Sequence, residues 1–361
     1  MSSQPIERVE QALARFEPPV LGTALREALG SPRVEVDGDA ITVHLKPGFA
    51  CKRYARQLRR ELGAWLCREA GVENVQLRIE PEIAPHQTQP NVERLKSVKN
   101  IIAVSSAKGG VGKSTVSANL ALALAGEGAR VGMLDADIYG PSQPRMLGVK
   151  GRPDSLDGQS IEPLTSYGIQ SISVGYLIDD DEPMIWRGPM VTRAMQQLLG
   201  DTRWADLDYL VIDMPPGTGD IQLTLAQQVP VAGAVIVTTP QDIATLDARK
   251  GLQMFRKVNV PVLGVVENMS LHTCSQCGHT EHLFGEGGGA RIAEDYGVPL
   301  LGSLPLDISI REHVDNGRPS VVADPDGEIA GLFHDIAVRM TAKLSLQATD
   351  YTHRMPKIVI R

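Results

Sequence analysis

Residues able to do chemistry gather at three places in this chain of 361 residues. The first is the run Ala107-Lys108-Gly109-Gly110-Val111-Gly112-Lys113-Ser114-Thr115. Gly109, Gly110 and Gly112 carry no Cβ, so the backbone here can close on a phosphate with its N–H groups turned inward. Val111 and Thr115 belong to the same cradle, and the helix that follows presents its positive end to the anion. Lys113 has the reach for β and γ phosphates, and the Ser114 hydroxyl suits Mg²⁺. The usual phosphate-loop pattern places glycine five residues before Gly112. Here Ala107 stands in that place, and a second lysine, Lys108, follows it. The order apolar strand, glycine-rich turn, lysine, hydroxyl, helix separates this run from a glycine-rich turn that binds nothing.

The second place is a set of carboxylates that close apolar strands. Met133-Leu134-Asp135-Ala136-Asp137 ends one strand, and Leu210-Val211-Ile212-Asp213 ends another. A hard Mg²⁺ keeps several waters and takes one or two carboxylates, so Asp213 is expected in its second shell. Asp137 is expected to position or activate the attacking water, and Asp135 to act structurally or on the metal network. An acid at a strand end also reads as a helix cap. After Asp213 come Pro215, Pro216, Gly217 and Gly219, a loop in which an amide near Gly217 could sense a γ-phosphate and move when it leaves. Asn268, after the strand Val262 to Val266, could read a purine through its side-chain amide.

The third place is Cys274-Ser275-Gln276-Cys277-Gly278. Two thiolates two residues apart grip one edge of a metal, and the glycine suits a tight knuckle turn. A tetrahedral site needs four ligands and the chain supplies one such pair, so a two-fold dimer is expected to bring the second. Zinc completed by His279 or His282 is a rival reading. A redox dithiol fits less well, because the pair does not open a helix after a strand. Cys51 and Cys67 lack partner spacing and read as ordinary semi-buried cysteines.

Positioning these groups requires alternating strands and helices. From Ile101 onward, short apolar β-rich runs separated by helical patterns predict βαβ crossovers and a mostly parallel sheet, with ligands at the strands' carboxyl ends. Strands are expected at 101–104, 131–134, 169–174, 210–212, 234–238, 262–266 and 300–304, with helices up to 126, over 190–199, from 223 and over 246–258. Residues 1–80 predict a small α+β domain: a helix over 5–16, strands near 33–36 and 40–46 joined by the turn signal Asp37-Gly38-Asp39, a helix over 52–70 and a strand near 72–79. The later helix carries Arg53, Arg56, Arg59, Arg60 and Arg68; a solvated face is the plain reading, docking of an acidic partner the sharper one. Three prolines between Pro81 and Pro90 predict an extended linker, taken as 81–97, before a P-loop domain over 98–345 and a tail over 346–361.

Composition sets outer limits. The chain is long enough for two domains. It is 42% hydrophobic, and no apolar run approaches the roughly 18 residues of a membrane span. No apolar signal-peptide core follows Met1, so a cytoplasmic location is expected. Four cysteines are too few for a disulfide framework, and a net charge of -7 argues against nucleic acid as a partner.

Taken together, these residues resemble the Mrp-type (ApbC) iron-sulfur cluster carrier ATPases, in the deviant P-loop group with MinD and the nitrogenase iron protein. The resemblance rests on Ala107 to Thr115, Trp186-Arg187-Gly188-Pro189-Met190, Asp208 to Ala226, Thr238-Thr239-Pro240-Gln241-Asp242-Ile243-Ala244, and Glu267-Asn268-Met269-Ser270 with the cysteine pair after it. It implies a homodimer that shares a [4Fe-4S] cluster through Cys274 and Cys277, slowly hydrolyses ATP with Mg²⁺, and exchanges the cluster with scaffold proteins and apo-proteins. It also implies that Lys108 reaches the partner's nucleotide and that Asn268 contacts adenine. Residues before Pro81 resemble a small domain of iron-sulfur assembly factors, in which a motif cysteine follows Pro-Ala. Here the run is Pro47-Gly48-Phe49-Ala50-Cys51, and Glu17-Pro18 replaces the usual Asp-Pro, which makes Cys51 a secondary candidate. Two other classes stay open: a MinD-like positioning or partition ATPase, although Tyr351 to Arg361 shows no amphipathic face for a membrane, and a zinc-stabilised nucleotide-binding scaffold.

Overall fold

A computed structural model describes residues 3–37, 40–90, 92–178 and 188–350. The expected turn at Gly38-Asp39, Trp186-Arg187 of the family run and the tail from Tyr351 lie outside the described residues. Contacts divide the chain into two compact units. One holds residues up to Gln87, Gly126–Gly128 and Val338 onward; the other holds Thr88–Ala125 and Ala129–Ala337.

The smaller unit contains α1 (Ser3–Arg15), α2 (Leu25–Leu29), β1 (Arg33–Asp37), β2 (Ala40–Leu45), α3 (Tyr54–Ala70) and β3 (Val75–Ile79). Its sheet runs β1-β2-β3, antiparallel then parallel. Alternation on β2 buries Ile41, Val43 and Leu45, while helical spacing on α3 buries Leu58, Leu62 and Leu66 in the same core. Arg56, Arg59, Arg60 and Arg68 lie exposed on the opposite side of α3. The expected linker is extended but pinned: Glu82 N–H donates to Pro47 O at 2.8 Å, Gln87 N–H to Ala348 O at 2.9 Å and Asp350 N–H to Pro85 O at 2.9 Å.

The larger unit begins with β4 (Val98–Ser105), α4 (Lys113–Gly126), β5 (Val131–Asp135), α5 (Gln143–Met146), β6 (Leu164–Ser166), β7 (Ile169–Ser173) and α6 (Gly188–Gly200). It continues through β8 (Leu207–Asp213), α7 (Asp220–Gln228), β9 (Val231–Thr238), α8 (Asp242–Lys257), β10 (Val262–Glu267) and the two-residue strands β11 (His272–Thr273) and β12 (Thr280–Glu281). Last come α9 (Gly288–Tyr296), β13 (Leu300–Ser303), α10 (Ile308–Asp315), α11 (Ser320–Ala323) and the start of α12 (Glu328–Ser345), a helix that from Val338 onward belongs to the smaller unit, where Val338 and Ala342 are core residues.

Eight strands form the main sheet in the order β13-β10-β9-β4-β8-β5-β7-β6, parallel except at the β6–β7 edge. Every residue of β8 and β9 is buried, as expected of strands covered on both faces. The fold is therefore mixed α/β with a mostly parallel sheet and a small α+β region ahead of it. Register brings the chemistry to one edge. Val104, one residue before the end of β4, lies opposite Asp213, and Asp213 lies opposite Asp135, so the loops after β4, β5 and β8 leave the sheet side by side.

Candidate nucleotide and metal-cluster site

The phosphate loop joins β4 to α4, and its backbone explains its glycines. Gly110 and Gly112 adopt φ of +81° and +82°, a left-handed region that side chains disfavour. A Cβ on Gly112 would also collide with Asn268 Nδ2. Ser106, Gly109, Gly110, Gly112, Lys113, Ser114 and Thr115 line an open cavity of about 270 Å³ together with Asp137, Gly140, Ser142, Met146 and Pro216. Lys108 is exposed and is absent from that lining. Its carbonyl accepts the Ser106 hydroxyl at 2.9 Å.

Behind the cavity, Asp213 is fully buried. Oδ1 accepts Lys113 Nζ at 2.5 Å and Ser117 Oγ at 2.9 Å; Oδ2 accepts Gln143 Nε2 at 3.0 Å. Lys113 Nζ also donates to Ser114 Oγ at 3.2 Å. Asp135 is equally buried and ties down the loop after β5. Its Oδ1 accepts Asp137 N–H, and its Oδ2 accepts Ser142 N–H, Gln143 N–H and the Ser173 hydroxyl, each at 3.1 Å. Burial, and then the facing charge of Asp213, pushes the Asp135 carboxyl up to about 7. Asp137 is half-buried in the cavity wall; burial raises its carboxyl too, against the pull of Lys113.

Two further groups of the expected site reach the loop without lining the cavity. Gly217, at φ +106°, donates its N–H to Ser106 O at 2.9 Å. Asn268 is buried just past β10, donates its backbone N–H to Thr238 O at 2.7 Å, and donates Nδ2 to the Val111 carbonyl at 2.9 Å. Gln143 and Ser117 carry no expectation from sequence, although both hold Asp213. A glutamine in a Gly-Pro-rich loop and a serine in a helix gain meaning only when the fold brings them to a buried carboxylate.

The cysteine pair sits on a small ribbon after β10. His272 pairs with Glu281 and Thr273 with Thr280, and the turn between closes through Gly278 N–H to Cys274 O and Cys274 N–H to His279 O, both 2.9 Å. Cys277 is exposed and Cys274 half-exposed. The N–H groups of Gln276 and Cys277 face the Cys274 sulfur and, with the Cys277 thiol and His272, hold its pKa below the ordinary thiol value. His282 Nδ1 lies against Ser270 O at 2.8 Å, and among the described residues no three His, Cys, Asp or Glu side chains gather into a metal site within one chain.

Of the other two cysteines, Cys51 packs as the ordinary residue its missing partner spacing predicts, and Cys67 does not. Cys51 is 1% exposed, and burial followed by the nearby Glu127 charge pushes its thiol up to about 12. Glu127 accepts the N–H groups of Arg53 and Tyr54 at 2.8 and 3.0 Å, capping α3. Cys51 is therefore a packed, protonated core residue in this structure, and its candidacy as a reactive thiol is withdrawn. Cys67 is exposed rather than semi-buried.

Residues 97–341 match the family model of the NUBPL iron-transfer P-loop NTPase, of the ParA group. The chain belongs to that family. It is 62% identical over 270 residues, 74% of this chain and 94% of the relative, to the iron-sulfur cluster carrier protein of Pseudomonas fragi. It is 51% identical over 340 residues, 94% of this chain and 92% of the relative, to the protein of that name in Escherichia coli K12. The mouse iron-sulfur cluster transfer protein NUBPL is 48% identical over 257 residues, 71% of this chain and 81% of its own length. Among solved structures, a nucleotide-binding protein of Archaeoglobus fulgidus in complex with ADP superposes with a TM-score of 0.57 at 38% identity, covering 65% of this chain and 92% of that one. The Pyrococcus furiosus cell-division ATPase MinD shares the fold, at a TM-score of 0.52 and 24% identity over 67% of this chain and 98% of that one. No helix among the described residues is long and apolar enough to cross a membrane.

Proposed function

We propose that this chain is an ATP-driven carrier of iron-sulfur clusters that works as a homodimer in the cytoplasm. Cys274 and Cys277 of two copies grip one [4Fe-4S] cluster, taken from scaffold proteins and handed to apo-proteins, and slow ATP hydrolysis times the exchange. The family and the names of its relatives support the cargo. The half-set of ligands supports sharing: the pair is exposed, Cys274 is biased toward thiolate, and one chain gathers no third ligand among the described residues.

The observation that carries the reading is a short path of one hydrogen bond and a few residues of chain. Asn268 grips the phosphate-loop carbonyl of Val111, and the same short segment then runs into the ribbon that bears Cys274. A change in the loop on nucleotide binding is thereby delivered to the root of the cysteine ribbon.

The site suits Mg²⁺. Its donors are oxygens, and Gln143 Oε1 and Ser142 Oγ are buried there with no hydrogen-bond partner. Ser114 Oγ would hold the ion directly and Asp213 through water; the ion supplies charge neutralisation to the phosphates. Lys113 leaves Asp213 for the β and γ phosphates. Gly110 and Gly112 aim their amides at the same oxygens. Asp137 orients the attacking water from the cavity wall, and Gly217 trades Ser106 O for the γ-phosphate and returns after cleavage. Lys108, outside its own cavity, completes the partner's site.

Anaerobic reconstitution with iron and sulfide tests this, counting both per dimer with and without MgATP. One four-iron cluster per dimer is expected. Zinc in the anaerobically purified protein, with no cluster uptake, would favour the scaffold reading.

A further inference from the structure

Gln143 is 1% exposed and is fastened at three points around the nucleotide site. Its backbone N–H donates to Asp135 Oδ2 at 3.1 Å, and its side-chain Nε2 donates to both Ser114 O and Asp213 Oδ2 at 3.0 Å. Two acceptors on one amide nitrogen fix which way the amide faces, since an oxygen in that place would meet a carbonyl and a carboxylate. Oε1 is therefore directed away from them, and it is buried with no hydrogen-bond partner. Ser142 Oγ, in the cavity lining, is also buried and unpartnered. Buried carbonyl oxygens left without a donor are rare in folded chains, and one next to a site is most simply explained by a donor that comes with the ligand.

We propose that Gln143 is a positioning residue for the hydrated Mg²⁺: its Oε1 accepts a hydrogen bond from a metal-bound water while its Nε2 holds Asp213 in place. This rests on the MgATP reading above and adds to it a residue and a direction of coupling. Asp135 clamps the amides of Asp137, Ser142 and Gln143 together. A metal-bound water on Gln143 Oε1 is thereby tied through Asp135 to the segment that carries Asp137, and the metal bears on the water-positioning group as well as on the phosphates.

The test is the metal affinity of the ADP complex of the full chain. Mn²⁺ is titrated into wild-type and variant protein saturated with ADP and read by electron paramagnetic resonance, with ADP affinity measured separately in EDTA. Partners of this kind typically shift metal affinity by about 10–100-fold. Gln143→Leu is expected to weaken Mn²⁺ by that amount and to leave ADP affinity in EDTA within about twofold. Gln143→Glu keeps one oxygen at the same reach but sets the other against Ser114 O and Asp213 Oδ2, so it is expected to weaken Mn²⁺ as well. The far-ultraviolet circular dichroism of each variant reports whether it has folded, and Gln143→Met supplies a volume-matched replacement if the leucine variant has not. Equal Mn²⁺ affinity in wild type and in the folded leucine or methionine variant overturns the proposal. So does an equal loss of ADP affinity in EDTA, which assigns the effect to a misplaced phosphate loop rather than to the metal-bound water. Failure of wild-type protein to bind ADP at all sinks the nucleotide reading itself.

Discussion

Lys113 Nζ stands 2.5 Å from Asp213 Oδ1, with the lysine side chain 6% exposed and the aspartate wholly buried. A buried pair of this kind stabilises little net, yet losing one member strands the other. Lys113→Met is expected to abolish nucleotide binding and to lower the stability of the nucleotide-free protein by about 3 kcal/mol. Adding Asp213→Asn should restore part of that stability without restoring binding. Urea midpoints of the two single variants and the double variant read the coupling. Additive losses would show that the pair is not a unit.

For Lys108, exposure outside its own cavity predicts a separation of binding from turnover. Lys108→Ala should bind ADP as wild type does while hydrolysing ATP at least about tenfold more slowly, a loss of about 1.4 kcal/mol at the transition state. A wild-type rate would remove the reason to place this side chain across a dimer.

Substitution Cys277→Ser removes one sulfur from an exposed turn that bears on no buried core. The brown chromophore of the reconstituted protein should vanish, with the nucleotide affinity and melting temperature unchanged. Survival of the chromophore would transfer the cluster to other ligands.

Acid-base behaviour should single out Asp135. Its carboxyl is pushed up to about 7 in the folded chain by burial and by Asp213, against an ordinary value near 4 in the unfolded chain. Between those values the native state keeps a proton that the unfolded state has lost. The contribution is thus full below about pH 4 and lost as pH rises toward about 7. The nucleotide-free protein should melt lower at pH 7 than at pH 5. Asp135→Asn should flatten that slope while lowering stability throughout, because the amide cannot accept all four donors. A slope unchanged by the substitution would assign the titration elsewhere.

Much of this was legible in the chain because the chemistry is local. A strand running into glycines, a lysine and a hydroxyl, or into an aspartate, is contiguous in sequence, and the parallel sheet gathers such strand ends without further instruction. Gln143 was not legible: nothing near it in sequence marks an amide that will bridge Ser114 and Asp213. Cys51 reads from its missing partner spacing as an ordinary cysteine and is one, buried beside Glu127; the family-like run around it says nothing of that packing. The helices after β13 carried no expectation. In α12, Gly331 interrupts the run while Ala330, Phe333, Ile336, Ala337, Val338 and Met340 are buried on several faces, so no single apolar stripe announces it.

The cysteine ribbon hangs on two strand pairs, His272 with Glu281 and Thr273 with Thr280, and interrupts only the connection between β10 and α9. No strand of the main sheet depends on it. On the proposed reading the nucleotide engine and its freight hook are therefore separable: shortening one loop would leave a complete switch with nothing to carry, and a different loop at the same place would give the same engine a different load.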